Sequence, residues 1–193
     1  TIIRCAPQYF AESSFAHLRG LLLTGRVFAI ISASLIALLG TLGVAAFSEH
    51  IESYYIAPFY LGMLALPMIA LGDTLDGTAR ANAWPIRALS PTYIIRPVLI
   101  LAAMLTALWL GYEANAKTAI ISAIIATYAT PLFQLVTVTS GVDRKLPTGP
   151  NRASFTEWFA VSLPIFFVEG FLFLLTNADV LVVGHFMDPQ HVA

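Results

Sequence analysis

The sequence predicts an all-α fold, a bundle of five transmembrane helices. Three observations carry this. The residues Ala, Val, Ile, Leu, Met, Phe, Trp, Tyr and Cys make up 58% of the chain, and charged residues 11%. A soluble domain averages about 45–50% apolar and about 25% charged, and no core of this size hides such an excess. Five stretches reach the roughly 20 mainly apolar residues that a span requires. Between them, the charges alternate in sign and number from one connection to the next.

Taken in order, residues 1–26 open with polar groups. Within "CAPQYFAESSFAHLRGLLLTG", 5–25, Phe15, Leu18, Leu21 and Leu22 fall at helical spacing. This predicts an amphipathic helix on the cytoplasmic surface that connects into the first span. Residues 27–138 hold four spans. They are "VFAIISASLIALLGTLGVAAF" at 27–47, "YYIAPFYLGMLALPMIALG" at 54–72, "TYIIRPVLILAAMLTALWLGY" at 92–112 and "TAIISAIIATYATPLFQLVTV" at 118–138. Residues 139–155 contain "GVDRKLPTGPNRAS", rich in Pro, Gly and basic residues, and read as a cytoplasmic linker. Residues 156–193 contain the fifth apolar stretch, Thr156 to Met187. At 1.5 Å per residue it reaches about 48 Å, more than the roughly 30 Å of hydrocarbon, so it tilts or protrudes. Prolines 58, 67, 97, 131 and 164 lie within these spans, where each removes a backbone hydrogen bond and invites a bend. The chain begins with Thr1, carries no signal peptide and ends on "MDPQHVA", so it reads as an internal stretch of a longer protein.

The basic residues set the expected orientation. Arg4, Arg19, Arg26, Arg80, Arg87, Arg144, Lys145 and Arg152 fall in the alternate segments 1–26, 73–91 and 139–155, and Arg96 enters the third span from the same side. The opposite connections, "SEHIES" and "EANAK", hold only Lys117 beside Glu49, Glu52 and Glu113. The positive-inside rule then places the N-terminus in the cytoplasm and the C-terminus outside. A net charge of −1 offers no basic face for nucleic acid. Cys5 is the one cysteine, and the four histidines form no metal-ligand spacing, so neither a disulfide nor a metal site is expected. No P-loop, HExxH or GxSxG occurs, and no catalytic residue is assigned.

The residues expected to matter are the polar ones inside apolar stretches. Glu169 lies about 20 Å along the last helix, near mid-membrane, where an ionised carboxylate is costly and functional by default. Asp179 lies about 15 Å further out, and Asn177 close to it. Together they form the expected path for a substrate or ion. Asn177 suits a bond to a neighbouring helix, Asp179 a partly wetted cap, and Glu157 the helix dipole at the helix start. Arg96 either snorkels to lipid phosphate or faces a cavity and holds an anionic head group. Arg80 and Arg87 are orientation charges with a weaker claim to bind phosphate. "GDTLDGTARA", 72–81, partly resembles the DxxDGxxAR opening of CDP-alcohol phosphotransferases, with Asp73 and Asp76 as possible metal ligands. However, Ala79 and Arg80 come one residue early, and no acidic residue follows until Glu113. A polar helix end explains this stretch better.

Three segments carry a broader resemblance. "IIRCAPQYFAESSFAHLRGLLLTG" resembles the loop after the second span of bacterial polysaccharide flippases, with its LRGLL-like helix start. "RALSPTYIIRPVLILAAML" resembles their fifth span, with its arginine–proline start. "SLPIFFVEGFLFLLTNADVLVVGHFMDPQHVA" resembles their seventh span, where Asp179, Gly184 and Pro189 match. The family is the lipopolysaccharide and exopolysaccharide flippases of the multidrug/oligosaccharidyl-lipid/polysaccharide superfamily. The resemblance implies spans three to seven of a two-lobe transporter like the multidrug and toxin extruders, with the linker joining the lobes. It further implies a multi-pass protein of the bacterial inner membrane and a polyprenyl-diphosphate-linked glycan as substrate. A proton or sodium ion would serve for coupling, and cavity arginines, Arg96 foremost here, would offset the diphosphate. A cation-coupled multidrug exporter of the same superfamily is the closest alternative; a membrane phosphotransferase using Asp73 and Asp76 is a more distant one.

Overall fold

The computed structural model describes residues 1–50 and 53–186, and among them it is all-α. Seven helices follow in order: α1 Ile2–Ala11, α2 Phe15–Ala46, α3 Ser53–Ala81, α4 Pro85–Ser90, α5 Arg96–Trp109, α6 Ala116–Asp143 and α7 Phe155–Phe186. Five continuous helical stretches are long and apolar enough to cross a membrane. The chain is therefore a multi-pass helical membrane protein. Two compact units form, one from Ile2 to Ala153 and one from Ser154 onward with Thr1.

In the larger unit, α2 packs on α3, α3 on α6, and α6 on α5. The short helices α1 and α4 lie at the end of the bundle that carries most arginines, α1 against α2 and α3, and α4 against α3. The expected single amphipathic helix over 5–25 is divided. α1 stops at Ala11 and α2 begins at Phe15, then runs without interruption into the apolar span. The break is a Schellman turn: Ser14 N–H reaches Tyr9 O at 2.8 Å and Ser13 N–H reaches Phe10 O at 3.2 Å, with Ser13 left-handed at φ 55°. The apolar stripe read from the sequence does bury Leu18, Leu21 and Leu22, but as the first turns of α2. The α3–α4 connection repeats this turn. Trp84 N–H bonds Ala79 O and Ala83 N–H bonds Arg80 O, both at 3.0 Å, with Ala83 at φ 55°.

The segment 144–153 is not a loose tether. Pro147 and Pro150 contribute carbonyls to the side chain of Arg19, which reaches Pro150 O through Nη2 at 3.0 Å and also bonds Pro147 O. Arg152 N–H closes on Ala16 O at 2.9 Å. Gly20 permits this approach, since a Cβ there would lie 1.8 Å from Arg152 O.

The prolines explain which side chains face inward on α6. Pro91 has no N–H to give the Arg87 carbonyl one turn back. Gln134 of α6, 2% exposed, donates to that carbonyl through Nε2 at 3.1 Å instead. On α3, Pro67 leaves the Met63 carbonyl without its helical donor, and in the same turn Tyr128 Oη of α6 donates to the neighbouring Leu64 carbonyl at 2.7 Å. Between Pro91 and Pro97 the helix widens into one π-turn, Pro91–Ile95, with Arg96 N–H bonding Pro91 O. Thus α4, the π-turn and α5 form one continuous helix from Pro85 to Trp109, locally underwound where two rings crowd the preceding carbonyls.

The second unit is described by α7 alone. Phe159, Phe166, Phe167, Phe171 and Phe173 are all exposed, and no polar stripe separates them. A helix apolar all round belongs in lipid or in the core of a larger assembly.

Replacing Gln134 with Leu should lower stability by about 1–3 kcal/mol, because the Arg87 carbonyl is left unpaired away from water. The measurement is thermal unfolding in detergent. In a Pro91→Ala background, which returns the missing N–H, the same Gln134→Leu change should cost clearly less. An equal cost in both backgrounds would show that Gln134 does not answer the proline.

Candidate functional site

The sequence ended the second span at Gly72 and took "GDTLDGTARA" as a polar helix end. In the structure α3 continues through it to Ala81. Asp73 and Asp76 are therefore helical residues on a span, and they part company there. Asp76 pairs with Arg80 one turn on, Oδ2 to Nε at 2.8 Å. Its other oxygen, Oδ1, is buried without a hydrogen-bond partner. Arg80 is thus held by its own helix, although half of its side chain remains exposed. Asp73 is exposed and lies within electrostatic reach of both Asp76 and Arg96.

Arg96 does not snorkel to the basic end. Its Nη2 donates to Thr127 Oγ1 of α6 at 2.9 Å. Thr127 is buried and lies about 16 Å along α6 from Ala116, which is well inside a roughly 30 Å hydrocarbon layer. Thr127 passes its own proton to the Ala123 carbonyl at 2.8 Å, so its oxygen is oriented to accept. The helices α3 and α5 each pack along α6. Asp73 of α3 is within electrostatic reach of Arg96 and opposite to it in charge, and Arg96 is in turn bonded to Thr127 of α6. Each would be costly alone in lipid; mutual attraction and the hydroxyl bond offset part of that cost.

A second arginine is placed in the same manner. Arg26 of α2 donates through Nη1 to Thr139 Oγ1 of α6 at 2.9 Å and interacts electrostatically with Asp143. Its Nε is buried and unpaired. Arg26 follows the left-handed Ser13 by the same interval that separates Arg96 from the left-handed Ala83. Equal spacing from equivalent turns brings both guanidinium groups to threonines of one helix. The sequence counted Arg26 only as an orientation charge; the equal spacing shows only once Ser13 and Ala83 are seen to be left-handed, and no glycine announces either turn.

Glu169 is exposed on α7. Asn177 bonds its own helix, Nδ2 to the Phe173 carbonyl at 2.8 Å, through one of its two amide N–H groups. Asp179 falls within α7, but its side chain lies outside the described residues. Arg87 stands at the basic end, beside Trp84 at 4.6 Å from the ring centre, and not in the Arg96 cluster. Among the described residues, no group of three or more His, Cys, Asp and Glu side chains is arranged to hold a metal.

Comparison with protein-family models, with curated proteins and with solved structures finds no match for this chain.

The flank of α3 that carries Asp73 should be wet. In a Cys5→Ser background, Asp73→Cys should react with a charged, membrane-impermeant thiol reagent at least about tenfold faster than Val98→Cys, because neither the reagent nor a thiolate enters hydrocarbon readily. Val98 is 59% exposed on an apolar surface and serves as the lipid-facing reference. Equal rates would place Asp73 against lipid.

Proposed function

We propose that this chain belongs to a membrane transporter that flips an anionic amphiphile across the bilayer, with a polyprenyl-diphosphate-linked oligosaccharide as its substrate and alternating access as its mechanism. The observation that carries the reading is Arg96 turned inward at membrane depth, bonded to Thr127 and facing the charge of Asp73. A fixed guanidinium with donors to spare is suited to bidentate recognition of a phosphate. The ordered resemblance of three segments to polysaccharide flippases supports the same substrate class.

In this mechanism the resting Arg96 is balanced by Asp73. An arriving diphosphate takes over the guanidinium, and Asp73 is left to take a cation, either a proton or sodium. The charge exchange between two helices that share α6 then biases one arrangement of the bundle against the other. Glu169 serves as a second cation-binding acid on the path, with Asp179 and Asn177 beyond it. Pro67 and Pro91, each within a turn of a carbonyl bonded by an α6 side chain, mark where α3 and the 85–109 helix bend during the exchange.

A second reading is favoured by the exposure of Asp73. An acid open to a wet groove also suits export of cationic drugs. Deleting the complete gene separates the two. Accumulation of a lipid-linked glycan with loss of surface polysaccharide supports the flippase; unchanged glycan with raised sensitivity to cationic drugs supports the exporter.

In the complete protein, Arg96→Ala should reduce translocation by about tenfold or more, the equivalent of losing one charged hydrogen bond, at unchanged membrane levels of the protein. Arg96→Lys should recover only part, since it keeps the charge and loses the fork. Full transport by Arg96→Ala, measured as normal surface glycan without accumulated intermediate, would overturn the assignment.

A further inference from the structure

We infer that the cavity between the α4–π-turn stretch and α6 seats the phosphate headgroup of an anionic phospholipid, independently of any transported substrate. The cavity has a volume of about 430 Å³. Its lining changes character along its length. Arg87, Ser140 and Arg144 line one end, and Ile95, Phe133 and Val136 line the other. The helix from Pro85 runs away from the basic end while α6 runs towards it, so Arg87 stands beside Ser140 and Arg144, and Ile95 stands beside Phe133. Phe133 and Val136 are 52% and 65% exposed, which leaves the apolar end open to the side. A free phosphate would use only the basic end. An amphiphile with a phosphate at one end and an acyl chain at the other uses both.

The basic end is built for an anion. Trp84 carries two cations on its ring, Arg87 Cζ at 4.6 Å and Lys145 Nζ at 4.5 Å from the centroid. Arg87 lies close over α6, its Nη1 3.4 Å from the Thr137 carbonyl. Gly141 makes room for it: a Cβ at that position would lie 2.1 Å from Arg87 Nη1 and 2.8 Å from the Trp84 ring. Among the described residues, Arg87, Arg144 and Lys145 form no salt bridge to a carboxylate. Two cations, Arg87 and Arg144, thus line this end of the cavity with no salt bridge to a carboxylate, while Arg80 at the same end of the bundle has Asp76. The guanidinium of Arg87 is held by stacking and close packing, with most of its five donors unused. The cavity also abuts the π-turn through Pro91 and Ile95, so a lipid seated there touches the one irregular turn of that helix.

The test uses the complete protein purified into neutral detergent. Retained phosphatidylglycerol and phosphatidylcholine are counted by native mass spectrometry after exposure to an equimolar mixture. Phosphatidylglycerol should be retained preferentially, and inorganic phosphate alone should neither bind nor raise the melting temperature. Arg87→Gln combined with Arg144→Gln should lower phosphatidylglycerol retention by about tenfold or more, as expected for loss of charged hydrogen bonds to phosphate. Gly141→Ala, which keeps every charge but displaces Arg87, should lower it in the same direction. Arg80→Gln should leave it unchanged. Equal retention of both lipids, retention insensitive to the double variant, or an equal loss with Arg80→Gln would each overturn the proposal. Stabilisation by inorganic phosphate equal to that by phosphatidylglycerol would also overturn it, by showing that the apolar end is not used.

Discussion

Within a bilayer every backbone carbonyl must find a donor inside the protein, and prolines in spanning helices break that rule locally. The fold depends on how α6 restores it. Gln134 reaches across to the carbonyl that Pro91 cannot serve, and Tyr128 to the Leu64 carbonyl in the turn before Pro67. These bonds tie α6 to its neighbours on both sides at fixed heights. Register between helices is otherwise weakly specified here, because lipid offers apolar side chains no reason to prefer a neighbouring helix. The polar repairs supply the register, and packing follows it.

The same helix also receives the charges. Arg26 and Arg96 arrive from α2 and α5 and end on Thr139 and Thr127. Threonine suits this position because its hydroxyl can give its proton to the carbonyl one turn back, as Thr127 does to Ala123, and still accept from a guanidinium. Such hydroxyls let α6 hold cations at depth, with its one carboxylate, Asp143, at its end beside Arg26. Asp73 and Asp76 stand on α3, so the attraction between Asp73 and Arg96 acts between helices.

Much of this was legible in the sequence. Hydrophobic run length gave five spans, and helical spacing identified the buried face of Leu18, Leu21 and Leu22. Element ends were harder. The span read as ending at Gly72 continues to Ala81, because isolated Asp and Arg residues do not stop a helix that lacks an end signal. The stop comes from the turn at Ala83, a left-handed residue with no glycine to announce it. Gln134 was passed over because one amide barely lowers the hydropathy of an apolar window. Its meaning appears only when Pro91, distant in sequence, is beside it. For the site, Arg96 was singled out as an arginine inside an apolar span, whereas Asp73 was set aside with a motif it did not complete. The acids of α7 attracted notice because the surrounding run is so apolar, yet distance along one helix does not tell what another helix brings beside it.

The clasp at Gly20 bears on how the chain is made. Ala16 and Gly20 leave the ribosome long before Arg152, and the bond between them can form only after α6 has crossed the membrane and returned to the same side. Until then the first turns of α2 keep a glycine-floored notch open. The clasp can therefore close only after an even number of crossings since α2 entered. A Cβ at Gly20 would meet the Arg152 carbonyl and hold the two segments apart at that last step of assembly.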